Sequence, residues 1–367
     1  KSDFHLPETG TYLLNHSVGR SLKSTEQALK DDFLSPWQHT NKEPWQQWLM
    51  TINKFTTNLA RIFGSDAKLF CPQVNLSSAL TKLIMSMPQL DQNTTVLMSE
   101  IDFPSMGFAM QKTLPIGANI VFLPKDKDVT DINAWQEYLT SDIDLVFVSH
   151  AYSNTGQQAP VKQIVESAKK VNALTIIDVA QSAGVLPLDL ADVKPDFMIG
   201  SSVKWLCGGS GAAYLWVSEQ QLEKVQPKDV GWFSHQNPFE FDIHHFEYHD
   251  SALKFWGGTP SILPYVVAAN SIDYFAGKGE VLRKHNLTMQ QLIIDALPEM
   301  IVSPLDANKR SGTVILNTKN NEKLLNALTE SNIAVDLRAN GLRVSPHLYN
   351  DEADIVRFIE VVQSCKL

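Results

Sequence analysis

The segment GSSVKWLCGGSGAAYLWV, residues 200–217, contains one charged side chain, that of Lys204. Lysine is rarely buried without a partner, and this stretch offers no acidic residue. The apolar run LTIID ends at Asp178, 26 residues earlier. If both residues follow strands of one sheet, they either form an ion pair or hold opposite ends of a ligand. Taken alone, Asp178 is more simply interpreted as a cap for the helix or turn that follows it.

Short apolar runs alternate with helical patterns through the middle of the chain. Six runs predict buried strands, and VKQIVESAKKVN predicts an amphipathic helix between the third and the fourth. The six runs are residues 94–100, 118–124, 144–150, 174–180, 196–202 and 212–217. This alternation predicts a mostly parallel sheet, and such sheets bind ligands beyond the carboxyl ends of their strands. From about residue 262 a long helix and shorter units predict a separate small α+β domain.

The segment QVNLSSALTKLIM, residues 73–85, places Ser77 and Ser78 where an amphipathic helix begins. A helix N-terminus with hydroxyl groups binds anions such as phosphate, although Ser77 could instead serve only as the N-cap. The GGSG run after Lys204 either forms an ordinary turn or lacks large side chains so that a ligand can approach its backbone closely. A lysine, an acidic partner for a ring nitrogen and a phosphate site are together what pyridoxal phosphate (PLP) requires.

The composition excludes several other classes of function. A net charge of −9 and a pI of about 5.6 argue against a surface for nucleic acid or anionic membranes, and no apolar run could span a bilayer. The three cysteines lack the spacing of a disulfide framework or a zinc site. His244, His245 and His249 lie close together, but we interpret them as part of a solvated loop and expect no metal. We expect a cytoplasmic protein.

A series of motifs along the chain resembles the class V (fold-type I) PLP-dependent enzymes, above all kynureninase-like and cysteine-desulfurase-like members. The run VGWFSHQNPFEFD, residues 230–242, is the most specific, because it is similar to the GWFGH run of kynureninase. The others are NHSVGRSLK, VNLSSAL, DFPS, DVAQSAGVLPLDL, SSVKWLCGGSG, FWGGTP and DLRANGLRVSPHLYN. The resemblance implies an α/β fold in which a mostly parallel seven-stranded sheet has helices on both faces. We assign residues 25–260 to a large PLP-binding domain and residues 1–24 and 261–367 to a smaller α+β domain.

The resemblance also implies roles for individual residues. Lys204 would carry the cofactor and move protons, Asp178 would pair with the protonated ring nitrogen, and Phe103 would stack on the ring. The other cofactor-binding positions would be Ser77, Ser78, Asn154, Gln181, Ser201, Trp232 and Thr259. The protein would be a homodimer with shared active sites, in which Thr259 reaches the phosphate of the neighbouring subunit. Arg343 would bind the α-carboxylate of an amino-acid substrate, with Arg338 as the second candidate.

Departures from the family pattern bear on the reaction. Kynureninases have Tyr immediately before the lysine and Asp three residues after the stacking Phe, whereas this chain has Val203 and Met106. The nucleophilic Cys that desulfurases carry before the carboxylate-binding Arg is absent from SNIAVDLRANGLRVS. We expect PLP chemistry on an amino acid, with a kynureninase-like lyase or hydrolase reaction first and transamination as the alternative. A non-catalytic binding module is a second alternative, which the presence of both Lys204 and Asp178 disfavours.

Overall fold

The computed structural model of the protein describes residues 1–365. Its strands are β1 Thr11–Tyr12, β2 Phe70–Gln73, β3 Thr95–Ser99, β4 Asn119–Leu123, β5 Leu145–Ser149, β6 Leu174–Asp178, β7 Phe197–Ser201, β8 Ala213–Val217, β9 Val314–Leu316, β10 Ile333–Ala334, β11 Asp336–Arg338 and β12 Gly341–Val344. Its α-helices are α1 Thr25–Ala28, α2 Ser35–Gln38, α3 Trp45–Phe63, α4 Leu76–Met85, α5 Pro104–Thr113, α6 Ile132–Gln136, α7 Val161–Lys170, α8 Leu190–Val193, α9 Glu219–Leu222, α10 Leu263–Phe275, α11 Gly279–Ala296, α12 Asn321–Glu330 and α13 Glu352–Ser364. Every helix in this range is too short or too polar to cross a lipid bilayer.

Seven strands form the main sheet, in the order β2-β8-β7-β6-β5-β3-β4. Strands β3 to β7 are parallel to one another, and β8 runs antiparallel between β7 and β2. The prediction of a mostly parallel α/β sheet is therefore confirmed, and the six predicted strands correspond to β3–β8. The sequence analysis missed β2, which contains Pro72. Proline cannot donate to a β-ladder, but β2 tolerates it as an edge strand.

A second, smaller hydrophobic cluster is separate from the main core. The antiparallel sheet β11-β12-β9 and helices α11–α13 form it, with Leu342 and Phe358 fully buried, and Leu13 joins it from near the start of the chain. This is the kind of α+β unit that the change of pattern after residue 262 predicts. Helix α10 instead packs against α3 and adds Tyr265 and Ile272 to the main core. The predicted domain boundaries at residues 24/25 and 260/261 therefore stay a prediction.

Candidate active site

A cavity of about 220 Å³ lies at the carboxyl ends of strands of the main sheet. Strands β5, β6 and β7 end beside it, and the first turn of α4 contributes to its wall. The predicted site residues that line it are Ser77, Phe103, Asp178, Gln181, Ser201 and Lys204. The other lining residues are Leu76, Ile101, Ser105, Met106, Ser149, Ala151, Tyr152, Ser153, Ala180 and Val203. Parallel sheets bind ligands at this end, so the topology explains why residues distant in sequence meet here.

Lys204 lies in the loop after β7, and its side chain is half-buried. Burial lowers the pKa of its ammonium group to about 8, because the charged form loses hydration, and attraction to Asp178 opposes this shift. Within residues 1–365 the ammonium makes no hydrogen bond and no ion pair. Asp178 therefore acts on Lys204 only at longer range. The protein leaves the Lys204 nitrogen free to react with a ligand.

Asp178 ends β6, and its Oδ1 accepts a 2.8 Å hydrogen bond from the backbone N–H of Ala180. This is the turn contact that the sequence allowed as an alternative role. Burial raises the pKa of the carboxyl group to about 6, while the Ala180 N–H and the charge of Lys204 act in the opposite direction. Within the described residues Oδ2 accepts no hydrogen bond, so one oxygen of Asp178 remains for a ligand.

Phe103 precedes α5 and is 54% exposed, with its ring on the cavity wall. The Lys204 Nζ atom lies 6.0 Å from the centroid of this ring. Aromatic rings gain favourable contact by stacking with an offset on another ring. The Phe103 face is therefore a surface on which a planar ligand can lie within reach of the lysine.

Helix α4 begins at Leu76 and has Asn75 as its N-cap, because the Asn75 Oδ1 accepts a 2.8 Å hydrogen bond from the Ser78 N–H. The alternative that Ser77 caps this helix is therefore wrong. In the part of the chain that the structure describes, the Ser77 hydroxyl makes no hydrogen bond, and Ser77 lines the cavity. A hydroxyl group at a helix N-terminus favours an anion at this place. Ser78 does not line the cavity, so its role in binding stays a prediction.

The GGSG run forms a turn outside the cavity lining. Gly209 and Gly211 have φ angles of 70° and 90°, in the left-handed region that glycine adopts most easily. A Cβ atom on Gly208 would lie 2.6 Å from the Cβ of Ser202. These glycines therefore serve the turn into β8, and a close approach of the ligand to their backbone stays a prediction.

The sequence analysis missed a group of polar residues at this end of the sheet. The Ser149 hydroxyl donates a 2.7 Å hydrogen bond to Asp102 Oδ1, and Asp102 Oδ2 accepts a 2.8 Å bond from the Ser99 N–H. Burial raises the pKa of the Asp102 carboxyl to about 7, and the charge of Asp178 acts in the same direction. The buried Tyr152 hydroxyl has no hydrogen-bond partner within residues 1–365. Ser149 ends β5 as Asp178 ends β6, and this position at the end of a predicted strand was the signal that could have revealed it.

Gln181 and Asn154 differ in their relation to the cavity. Gln181 lines it, and its Nε2 donates a 3.1 Å hydrogen bond to the carbonyl oxygen of His16, which ties the N-terminal segment to the site. Asn154 does not line the cavity. Its backbone carbonyl oxygen accepts a 3.2 Å hydrogen bond from Asn340 Nδ2. The neighbouring Ser153 occupies the wall instead. The role of Asn154 stays a prediction.

The two predicted substrate-binding arginines share one carboxylate, that of Asp336. Arg343 is buried and donates to it from Nε at 2.8 Å and from Nη2 at 2.5 Å, whereas the exposed Arg338 approaches it from Nη2 at 3.2 Å. The Nη1 of Arg343 also donates a 3.3 Å bond to the carbonyl oxygen of Ser153, a residue of the cavity wall. The positive charge of Arg343 helps to lower the pKa of Lys204. Arg343 is therefore the arginine beside the cavity.

Trp232 and Thr259 lie outside the cavity lining but contact each other. The Trp232 Nε1 donates a 3.3 Å hydrogen bond to the Thr259 Oγ1, and Thr259 is exposed. Their predicted roles at the phosphate require a second subunit and stay predictions.

One histidine of the DIHHFEYHD segment lies in a cluster of possible metal ligands. The ligand atoms of His245, His235 and Glu240 are all within 4.8 Å of one another, whereas the His249 Nδ1 accepts a hydrogen bond from the backbone of the chain. The His235 Nδ1 accepts a 2.9 Å bond from the Asn237 N–H, so this ring nitrogen already has a partner. The expectation that the protein has no metal stays a prediction.

The donor groups of the cavity fit PLP. Lys204 offers an amine without a hydrogen-bond partner in residues 1–365, Asp178 offers a carboxylate oxygen, and Phe103 offers a ring face. Ser77 and the first turn of α4 offer an anion site. These are the groups that bind an aldehyde, a pyridine ring and a phosphate.

Comparison with known proteins agrees with this chemistry. Residues 75–358 match the sequence model of the family described as Aminotransferase class-V. Kynureninase from Deinococcus radiodurans is 25% identical to the chain over 359 residues, which covers 92% of this chain and 85% of that protein.

Two solved structures have the same fold. The cysteine desulfurase from Thermococcus onnurineus aligns with a TM-score of 0.85 and 18% identity, covering 96% of this chain and 94% of that one. The cystine C–S lyase C-DES, solved with its product cysteine persulfide, aligns with a TM-score of 0.87 and 18% identity over 98% of each chain. Another structure of C-DES holds glycine covalently linked to its PLP cofactor. Because the family model spans well over half of its residues, the chain belongs to the class V aminotransferases, the PLP-dependent family of fold type I that its motifs predicted.

Proposed function

We propose that this protein is a PLP-dependent enzyme that acts on an α-amino acid and catalyses a kynureninase-like lyase or hydrolase reaction. The observation that carries the proposal is the convergence of Lys204, Asp178 and Phe103 on one cavity. An amine, a buried carboxyl group and an exposed ring face are what PLP needs from a protein. Similarity to a kynureninase over 92% of the chain supports the reaction class.

Lys204, Asp178, Phe103, Ser77 and Ser201 would hold the cofactor. When bound, PLP withdraws electrons from the substrate carbon at which a bond breaks. The Lys204 nitrogen, with a pKa of about 8, can take up or release a proton near neutral pH and so act as base and acid on that carbon. The Asp178 carboxylate would keep a proton on the ring nitrogen. Ser77 and the N-terminus of α4 would hold the phosphate.

Arg343 supports an α-amino acid as the substrate. Its guanidinium lies beside the cavity, and the planar fork of its N–H groups matches a carboxylate. Arg338 is 55% exposed and is not one of the residues that line the cavity. We therefore assign the α-carboxylate to Arg343 rather than to Arg338.

We also propose a homodimer with shared active sites, in which Thr259 reaches the phosphate of the other subunit. Trp232, which is bonded to Thr259, packs against Phe239 and Phe241, and these two rings are 48% and 76% exposed. Exposed aromatic clusters are typical of protein–protein contacts. This surface therefore supports a second subunit beside Thr259.

Transamination is the second candidate. Val203 and Met106 both line the cavity, so the two departures from the kynureninase pattern lie at the site itself. They replace a hydroxyl and a carboxyl group by apolar surface, which favours a reaction other than that of kynureninase. A non-catalytic binding module would have no need for the unbonded amine of Lys204 next to the carboxyl group of Asp178.

The test is to add a panel of amino acids, including L-kynurenine, L-alanine and L-cystine, to the PLP-loaded protein. We expect a change in the absorbance of the bound cofactor and release of a fragment of the substrate side chain. A 2-oxo acid with the side chain intact would identify a transaminase. No absorbance change with any amino acid would contradict enzymatic function and favour the binding module.

A further inference from the structure

Asp336 takes up one edge of the Arg343 guanidinium and leaves the rest available. Its two oxygens accept hydrogen bonds from Nε and Nη2, and the Ser153 carbonyl oxygen accepts one from Nη1. A guanidinium carries five N–H groups. One N–H on Nη1 and one on Nη2 therefore have no acceptor within residues 1–365. These two remaining groups can bind a carboxylate.

Other residues hold Asp336 in place from the side of the smaller hydrophobic cluster. Asp336 is directly opposite Arg343 in the antiparallel pair β11–β12, so the two side chains share one face. The His16 Nε2 lies 2.9 Å from Asp336 Oδ1, and its Nδ1 lies 2.7 Å from the Ser345 hydroxyl. The Ser345 hydroxyl in turn lies 2.7 Å from that of Thr313. The carboxylate is therefore fixed by a chain of buried groups and not by Arg343 alone.

The same network reaches the cavity. The carbonyl oxygen of His16 accepts the bond from Gln181, and Arg343 contacts Ser153, and both of these partners line the cavity wall. The Arg343 side chain is only 7% exposed, so it has little freedom to turn. Its position is set between Asp336 on one side and the cavity wall on the other.

The local charge still favours an anion. Asp336 alone would neutralise Arg343 and weaken its attraction for a carboxylate. Arg338 adds a second positive charge at 3.2 Å from the same carboxylate. Burial lowers the pKa of His16, which favours the uncharged form of this ring, so the balance of charge in the group comes from the two arginines and Asp336.

We propose that Asp336 is the positioning residue of the substrate site: it holds the Nε–Nη2 edge of Arg343, so that the remaining N–H groups of Nη1 and Nη2 bind the α-carboxylate of the amino acid. This inference rests on the proposed function. Asp336 stays in place when the ligand binds, and the ligand carboxylate becomes the second anion on Arg343.

The test compares two probes that differ only in the carboxylate, glycine and methylamine. Both are titrated into the PLP-loaded protein, and the absorbance of the bound cofactor reports binding. We expect the wild-type protein to bind glycine more tightly than methylamine. Asp336→Asn keeps the size of the side chain but loses its charge, so we expect at least tenfold weaker binding of glycine and less than a twofold change for methylamine. The matched control is Asp273→Asn, which removes the exposed ion pair with Arg61 and should change neither affinity.

Each outcome separates the inference from the proposed function. Equal or tighter binding of glycine by Asp336→Asn would overturn the inference, because Asp336 would then be a competitor of the ligand. If Arg343→Ala loses the preference for glycine and Asp336→Asn keeps it, the inference fails and the proposed function stands. If the wild-type protein shows no preference for glycine, the assignment of the α-carboxylate fails, and the inference with it. Should Asp336→Asn not fold, His16→Gln replaces it, with at least threefold weaker glycine binding expected and unchanged binding overturning the inference.

Discussion

The ammonium nitrogen of Lys204 lies 6.0 Å from the centroid of the exposed Phe103 ring. Lys204 follows β7 and Phe103 follows β3, with β5 and β6 between these two strands in the sheet. The sheet order therefore brings a reactive amine next to a flat apolar surface. A ring stacked on Phe103 would present its substituents to this amine.

Lys204 should be the residue that carries the cofactor covalently. Borohydride reduction of the PLP-loaded protein should attach one cofactor to the peptide that contains Lys204, as detected by mass spectrometry. Lys204→Ala should give no labelled peptide. Lys112→Ala, at an exposed position of α5, should label like the wild-type protein. A full label in Lys204→Ala would mean that another lysine reacts.

Asp178→Asn should impair turnover far more than cofactor binding. An amide cannot stabilise a proton on the ring nitrogen, so we expect kcat to fall at least about 100-fold. A loss of this size is comparable to the loss of a general acid or base. The Kd of PLP, measured by fluorescence, should change less than tenfold because the phosphate contacts remain. The exposed Asp142→Asn should match the wild-type protein in both measurements. Parallel losses of binding and turnover would argue for a purely structural role.

Asp102 should make the cofactor-free protein less stable as the pH rises from 5 to 8. Burial raises the pKa of its carboxyl group to about 7, whereas an unfolded chain has about 4. The folded state then binds more protons than the unfolded state in this interval, so the free energy of unfolding falls with rising pH. Asp102→Asn should remove about 1–3 kcal/mol of this decrease, measured by urea denaturation.

Two other buried groups contribute to the pH dependence between pH 5 and 8. Burial raises the pKa of Asp178 to about 6, which acts on the free energy of unfolding with the same sign, and lowers the pKa of His150 to about 4, which acts with the opposite sign. Both groups are present in the variant and in the wild-type protein, so the difference between the two proteins reports the Asp102 carboxyl together with its charge coupling to Asp178. The same pH dependence in both proteins would show that the Asp102 carboxyl does not titrate in this interval.

Arg343→Lys should lose more catalytic efficiency than Arg338→Lys. A lysine cannot form the two parallel hydrogen bonds of a guanidinium, so we expect kcat/KM to fall by about 1.5–3 kcal/mol at position 343. The loss at the exposed position 338 should be smaller. The melting temperature of both variants should be recorded, because Arg343 also holds Asp336. A larger loss at position 338 would move the α-carboxylate to Arg338.

Thr259 should act in the active site of the other subunit. Light scattering should show a dimer, and Thr259→Ala should weaken PLP binding. A mixture of Lys204→Ala and Thr259→Ala chains should recover activity, because one site of each mixed dimer then contains an intact Lys204 and an intact Thr259 from different chains. If Thr259 acted within its own chain, no site would contain both residues, and mixing would add no activity to that of the two separate variants.

Local sequence patterns were sufficient to predict the strands and the helix that carry the site residues. The apolar runs before Asp178 and Lys204 predicted strands that the structure confirms as β6 and β7, and the pattern around Ser77 predicted the start of α4. Strand ends and helix starts depend on neighbouring residues, because their periodicity and capping groups lie within a few positions. The motif resemblance added Phe103, which lies on the wall of the same cavity.

Only the tertiary structure decided which polar groups on different elements contact one another. His16 and Asp336 are 320 residues apart, and their contact needs the N-terminal segment to lie against the small β-sheet. Asp336 faces Arg343 only through the register of β11 and β12, and Ser149 faces Asp178 only through that of β5 and β6. A repeat of apolar residues specifies which face of a strand is buried, but it does not specify the partner strand or the pairing register. These contacts therefore had to be observed in the folded chain.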